Sequence, residues 1–166
     1  MTEDPTRLSD RLAIQDLMTL YGMAVDGRDW ALYRSVFTDN AIIDYSDAGG
    51  FALDIDATLE WLPASLSHYA GLQHNMTSHI AEVDGDEAHS CTYFLAFHTI
   101  AAEGRETLLT MGGYYRDVLT RTPVGWRIAH RVLRGVWIDG PFRNPPAWYG
   151  TKQHHLPSVR DAHSEK

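Results

Sequence analysis

Four strand-like segments joined by turns of hairpin length occupy residues 73–138, and they restrict this chain to folds built on an antiparallel meander. The segments are residues 73–83, 88–101, 106–121 and 126–138. Asp84-Gly85-Asp86 joins the first two, Ala102-Glu103-Gly104-Arg105 the next two, and Thr122-Pro123-Val124-Gly125 the last two. The residues before them follow a different period. Ile14, Leu17, Met18, Tyr21 and Val25 recur at spacings of three and four, which predicts an amphipathic helix starting at Asp4-Pro5 and stopping near Gly27. Asp29 is placed to cap a second, shorter helix with Trp30, Tyr33 and Phe37 on one stripe, ended by Thr38-Asp39-Asn40. Residues 41–45 read as a short strand and 46–50 as a turn-rich loop. Asp56 is expected to cap a third helix carrying Leu59, Leu62 and Leu66, interrupted or kinked by Pro63.

Helices followed by an antiparallel sheet define an α+β protein. A long sheet of this kind curls, and Gly112-Gly113 marks the place for a bulge that sharpens the curl. The expected shape is a cone-shaped barrel: a curved, mostly antiparallel sheet with three N-terminal helices enclosing a pocket. Residues 1–140 are expected to form this domain, and residues 141–166 a Pro-rich, partly irregular tail.

Charge narrows the function. Acidic residues outnumber basic ones by 22 to 14, for a net charge of −8, which opposes binding to nucleic acid or to an anionic membrane surface. No apolar run reaches the roughly 20 residues of a membrane span, and the N-terminus lacks the basic and apolar regions of a signal peptide. The single cysteine, Cys91, fits a reducing compartment, and a cytoplasmic location is expected. Walker, GxGxxG, CxxC and HExxH patterns are absent, so neither a cofactor nor a metal is expected.

Polar side chains on the concave face then need explaining, because burial there favours apolar ones. His74 alternates in phase with Met76 and Ile80, and His98 with Phe94, Ala96 and Ile100. Tyr21 lies on the apolar stripe of the first helix, and Asp26 sits at its end, where the helix dipole disfavours a carboxylate. Tyr21 and Asp26 are about 140° apart on an ideal helix, so they converge only if the last turn is distorted. A neutral histidine backed by a carboxylate is held in one tautomer and made more basic, and a tyrosine hydroxyl donates to a carbonyl or leaving oxygen. Asp26, His74 and Tyr21 are therefore the candidate catalytic residues, with Tyr45, His98, Tyr115 and Trp30 expected to contact substrate. The plainer reading of each histidine is a core side chain bonded to a backbone carbonyl, and of each tyrosine a packed ring with a satisfied hydroxyl.

The segments Arg11-Leu12-Ala13-Ile14-Gln15-Asp16-Leu17, Val25-Asp26-Gly27-Arg28-Asp29-Trp30 and Phe37-Thr38-Asp39-Asn40-Ala41 resemble the opening of SnoaL-like proteins of the nuclear transport factor 2-like superfamily. Gln73-His74, Gly112-Gly113-Tyr114-Tyr115-Arg116-Asp117 and Gly125-Trp126-Arg127-Ile128 continue the resemblance, which spans roughly residues 8–138. Within that superfamily the pattern is most similar to scytalone dehydratase, bile-acid dehydratase and hexachlorocyclohexane dehydrochlorinase, whose helix-end Asp and strand His match Asp26 and His74. Tyr21 matches a bile-acid dehydratase tyrosine, and Tyr45 and His98 match scytalone dehydratase residues. The chain departs from these enzymes at Gly113 and Tyr115, where scytalone dehydratase has Ser and Asn. It departs again at His98, where the bile-acid enzyme has Asp, and at Tyr21, where the dehydrochlorinase has a basic side chain.

The resemblance implies a cofactor-independent lyase, a dehydratase or a related elimination enzyme. Its substrate would be a small, mostly apolar cyclic molecule of polyketide, steroid or terpenoid type. It also implies a homo-oligomer, a trimer before a dimer. Three alternatives share the fold: a ketosteroid isomerase-like enzyme, a non-catalytic binding or assembly module, and the small subunit of a ring-hydroxylating oxygenase.

Overall fold

The computed structural model describes residues 5–102, 105–141 and 145–149. Helix α1 runs Pro5–Asp26, as its apolar spacing predicts; the expected cap at Asp4 lies outside the described residues. Helix α2, Trp30–Ser35, is capped by Asp29, whose carboxylate accepts from the Leu32 N–H at 2.9 Å. It is shorter than its stripe suggested. Phe37 opens strand β1, Phe37–Asp44, because the Val36 carbonyl accepts from the Ile128 N–H at 3.0 Å and the chain is drawn into the sheet there. Thr38-Asp39-Asn40 thus lie inside a strand rather than in a helix-ending turn.

A single 3-10 turn, Ser46–Ala48, lies in the expected loop, and a short strand β2, Ala52–Asp54, follows it where no element was expected. Helix α3, Ile55–Leu66, is capped by Asp54 and not Asp56: the Asp54 carboxylate accepts from the Ala57 N–H at 2.8 Å. Asp56 falls in the first turn, 3.8 Å from Arg34. Pro63 does not end α3: it lies in the last turn, where its missing N–H costs the helix one bond.

The long strands are β3 (Gly71–Asp84), β4 (Glu87–Ala102), β5 (Arg105–Thr122) and β6 (Gly125–Asp139). They form the expected meander, extended by β1 and β2 into one sheet of order β2-β1-β6-β5-β4-β3. All neighbours are antiparallel except β1 and β6. That parallel pairing needs a long crossover, so hairpin signals do not reveal it. The sheet is curved but open. Its edges are β2 and β3, and the cone is completed by helices: α1 packs on β3 and β6, and α3 on β1.

Three bulges lie within the β3–β6 meander, and a further register shift separates Phe37 from Ile42 in the β1–β6 pairing. β6 carries an extra residue opposite Gly112-Gly113 and another opposite Val118-Leu119, and β3 carries one between Thr77 and Ile80. A bulge shifts the two-residue alternation, and the one in β3 changes which side chains face inward. His74 and Met76 face the cone before it; His79 and Ala81 do so after it. Ile80, expected on the His74 face, points out and is 46% exposed.

Asp10 pins the start of α1 to the β5–β6 hairpin. Its carboxylate accepts from Arg121 at 2.7 and 2.8 Å and from the Trp126 indole at 3.0 Å. Of the expected tail, residues 142–144 and 150–166 lie outside the described residues. Trp148 folds back: its indole donates to the Asp47 carbonyl at 3.0 Å, and its ring fills the space that a Cβ at Gly135 would need. Among the described residues no helix is long and apolar enough to cross a membrane.

Candidate active site

Gly22 begins the site. It lets α1 lie close on β3, where a Cβ would come 3.2 Å from Met76 Cγ and 3.6 Å from the His74 carbonyl. One helical turn later, on the same face, Asp26 meets His74. β3 is an edge strand, so the His74 N–H is not used by a neighbouring strand; it donates to Asp26 Oδ2 at 2.8 Å. Asp26 Oδ1 lies 2.6 Å from His74 Nδ1. Burial raises the Asp26 carboxyl, but the bonds from the His74 ring and backbone outweigh it, and the group is held below the usual carboxylate value. An ionised Asp26 accepts, so the neutral form of His74 carries its proton on Nδ1 and leaves the lone pair on Nε2.

His74 lines a cavity of about 460 Å³ whose walls are mostly apolar: Val25, Phe51, Trp61, Leu62, Phe94 and Leu133 among them. His98 stands beside it, its ring edge-on to His74 at 5.5 Å and against Tyr69 at 4.7 Å. Burial, reinforced by His74, pulls the His98 pKa down to about 4, and the Asp26 carboxylate, with a smaller contribution from the Leu109 backbone, offsets only part of this. His98 is therefore neutral at pH 7.

Tyr21, Tyr45 and Tyr115 share another wall of the same cavity. Tyr45 OH lies 2.8 Å from both Tyr21 OH and Tyr33 OH, and Tyr21 OH donates to Tyr115 OH at 3.4 Å. Burial pushes the phenols of Tyr33, Tyr45 and Tyr115 well above their ordinary value, so all three keep their protons at neutral pH. Behind the rings lies Arg131, its guanidinium 3.9 Å from the centre of Tyr21 and 4.3 Å from that of Tyr115. Asp117 accepts from Arg131 twice at 2.7 Å, and both side chains are fully buried. Burial opposes the Arg131 charge, but Asp117 more than compensates and holds it protonated.

Six of the seven expected site residues meet at this cavity: Tyr21, Tyr45, His74, His98 and Tyr115 line it, and Asp26 backs His74. Tyr21 and Asp26 do not touch; one faces the tyrosine wall and the other the edge of β3. Trp30 is a correction. It is absent from the cavity wall and packs edge-on against Tyr33, because α2 turns it away from the cone interior. Tyr33, Asp117, Arg131, Tyr69 and His68 were not anticipated at the site. Asp117 and Arg131 stand among other charged residues of β5 and β6, and the β6 bulge opposite Val118-Leu119 hides their common register. Among the described residues no cluster of His, Cys, Asp and Glu has the arrangement of a metal site.

Comparison with known proteins gives the same outline. The model of the SnoaL-like domain matches residues 6–132. The uncharacterized protein Rv2910c of Mycobacterium tuberculosis (strain ATCC 25618 / H37Rv) is 36% identical over 126 residues, covering 75% of this chain and 84% of that protein. A scytalone dehydratase-like protein from Novosphingobium aromaticivorans DSM 12444 superposes with a TM-score of 0.76 over 90% of this chain and 98% of its own, at 20% identity. Hexachlorocyclohexane dehydrochlorinase LinA-type3 from Novosphingobium barchaimii LL02 does so at 0.70 over 91% and 97%, at 19% identity. At such identities the likeness to these two structures is one of fold.

Proposed function

Since this chain belongs to the SnoaL-like domain family, we propose that it is a cofactor-independent lyase that eliminates water or a related leaving group from a small, mostly apolar cyclic substrate. One observation carries this reading: the doubly bonded Asp26–His74 pair at the wall of a mostly apolar cavity. In the reaction His74 Nε2 takes a proton from carbon next to a carbonyl. The C–H electrons form the new double bond as the C–O bond breaks, and the imidazolium returns its proton to the departing oxygen, which leaves as water. Asp26 holds the imidazole in the useful tautomer and stabilises its charge. The tyrosine wall donates to the carbonyl oxygen, where negative charge builds up. Neutral His98 borders the leaving group.

A substrate screen of cyclic β-hydroxy ketones, followed by ultraviolet detection of the conjugated product, tests the reading. His74→Ala is expected to abolish turnover of any substrate found. Full turnover by that variant would sink the proposal, and uptake of ketones with no turnover by the wild type would favour a binding module.

A further inference from the structure

Arg28 holds a backbone conformation that arginine does not favour. Helix α1 closes with two bonds: the Asp29 N–H donates to the Ala24 carbonyl at 2.9 Å, and the Arg28 N–H to the Val25 carbonyl at 3.1 Å. This closing pattern puts its second-last residue in the left-handed region, where glycine is usual. Here that residue is Arg28, with φ 51°, and Gly27 stands one position too early to take it. Among the described residues only Ser78 shares a positive φ without being glycine. A Cβ in this region crowds the backbone, and such strain persists where the surroundings over-determine it. A cation at a helix C-terminus is favourable at any reach, which accounts for a basic residue here but not for where its side chain goes.

Arg28 Nη2 donates to the Tyr69 carbonyl at 2.6 Å. Tyr69 belongs to residues 67–70, which join α3 to β3. Its ring packs against His98 at 4.7 Å and against His68 at 3.9 Å, and His68, Tyr69 and His98 all line the cavity. The next residue is tied on the other side, where the Ala70 N–H donates to the Thr99 carbonyl at 2.7 Å. The end of α1 therefore grips this side of the cavity at two points: Asp26 holds His74 in β3, and Arg28 holds Tyr69 just before it. We infer that Arg28 is a positioning residue for the cavity: by holding the Tyr69 carbonyl it sets the Tyr69 ring against His98 and keeps that wall formed around a small apolar ligand. A preformed wall binds more tightly because less ordering is left to the ligand. The inference needs a ligand in the cavity and nothing of the elimination chemistry, so it stands apart from the lyase reading.

The test compares the full wild-type chain with Arg28→Gly, Arg28→Asn and Arg28→Lys. Glycine and asparagine accept the left-handed conformation but are too short to reach Tyr69. Lysine keeps the charge and a donor of similar reach, which suffices for a single bond to a carbonyl. The probe is acedan, a flat, uncharged naphthyl ketone whose emission moves to the blue in a dry site. Arg28→Gly and Arg28→Asn are expected to keep the wild-type thermal midpoint or raise it, because the backbone strain is relieved. They should bind acedan roughly tenfold more weakly, the scale of one charge-assisted hydrogen bond, with emission displaced toward the red as water enters. The nuclear Overhauser contact between the Tyr69 and His98 rings should fade, while the downfield His74 Nδ1 proton, held by Asp26, should remain. Arg28→Lys should match the wild type in each measurement. With a turned-over substrate, Arg28→Gly should raise KM and leave kcat in place, since the Asp26–His74 pair is untouched.

Acedan affinity and a ring contact that survive in Arg28→Gly and Arg28→Asn would overturn the assignment. So would an Arg28→Lys variant that restores neither, or a wild-type chain that takes up no acedan. A lowered thermal midpoint together with loss of the His74 signal would show that Arg28 holds the helix end itself, which also overturns it. His74→Ala separates the two ideas. It should bind acedan and lose turnover, so turnover that persists counts against the lyase and not against the role of Arg28.

Discussion

The Asp26 carboxylate engages His74 with both oxygens, one on the imidazole Nδ1 at 2.6 Å and one on the backbone N–H at 2.8 Å. The backbone bond fixes the carboxylate to β3, and the ring bond then fixes the imidazole to the carboxylate. Rotation of the ring breaks the second bond without disturbing the first, so the strand supplies the reference frame for the base.

Asp26→Asn should separate these two roles. An amide oxygen still accepts from the His74 N–H, so the α1–β3 contact should persist. The ring loses its anionic partner, and turnover should fall by about 10²–10⁴-fold, the usual span for losing a general base in its active form. The check is kcat beside the thermal midpoint; a variant that loses both together would show that Asp26 is mainly structural.

His98 gives the protein an acid-sensitive window. Its folded pKa is depressed to about 4, below the ordinary histidine value of 6.5, so the folded state resists its protonation. The stability it contributes is complete above pH 6.5 and is lost as pH falls through about 4. A shift of that size corresponds to roughly 3 kcal/mol in all. Denaturant unfolding of wild type and His98→Phe between pH 7 and pH 4 should converge as pH falls, because the variant has no such group to protonate. Parallel curves would show that His98 titrates normally.

The buried Arg131–Asp117 pair predicts an asymmetry. Arg131→Met strands the Asp117 carboxylate in the core and should destabilise by about 3–5 kcal/mol. The double variant Arg131→Met with Asp117→Leu removes both charges and should recover much of that loss. Chemical denaturation of the two single variants and the double variant measures the coupling. A double variant no more stable than the worse single one would show that the pair is retained for net stability.

The sequence discloses what local periodicity controls. The spacing from Ile14 to Val25 gives α1, Asp29 gives the start of α2, and the hairpin turns give β3 to β6 within a residue or two at most ends. Asp26 and His74 stand out for a related reason: a carboxylate at a helix C-terminus opposes the dipole, and a histidine on a concave face must be solvated or bonded. What stayed hidden depends on long-range register. The β3 bulge exchanges Ile80 for His79 on the inner face, and the parallel β1–β6 pairing brings Tyr45 toward Tyr115 of β5 and Arg131 of β6. Tyr33 looked like one residue of an apolar helical stripe, because only the folded chain sets its hydroxyl 2.8 Å from Tyr45.

Gly22 links the helix packing to the chemistry and gives the sharpest mutational test. Gly22→Ala would place a Cβ 3.2 Å from Met76 Cγ and 3.6 Å from the His74 carbonyl, at the interface that carries Asp26 to His74. Two effects on stability oppose each other. Alanine favours the helix by about 1 kcal/mol over glycine, while the tight contact with Met76 pushes α1 away from β3. The thermal midpoint should consequently change little. The Asp26–His74 geometry has no such compensation, since even a displacement of about 1 Å can cost on the order of 10²-fold in rate. Gly22→Ala is expected to fold with near wild-type stability, to lose the downfield His74 Nδ1 proton signal in NMR spectra, and to lose turnover in proportion. Retention of that signal with full activity would show that α1 shifts as a rigid unit and carries Asp26 with β3.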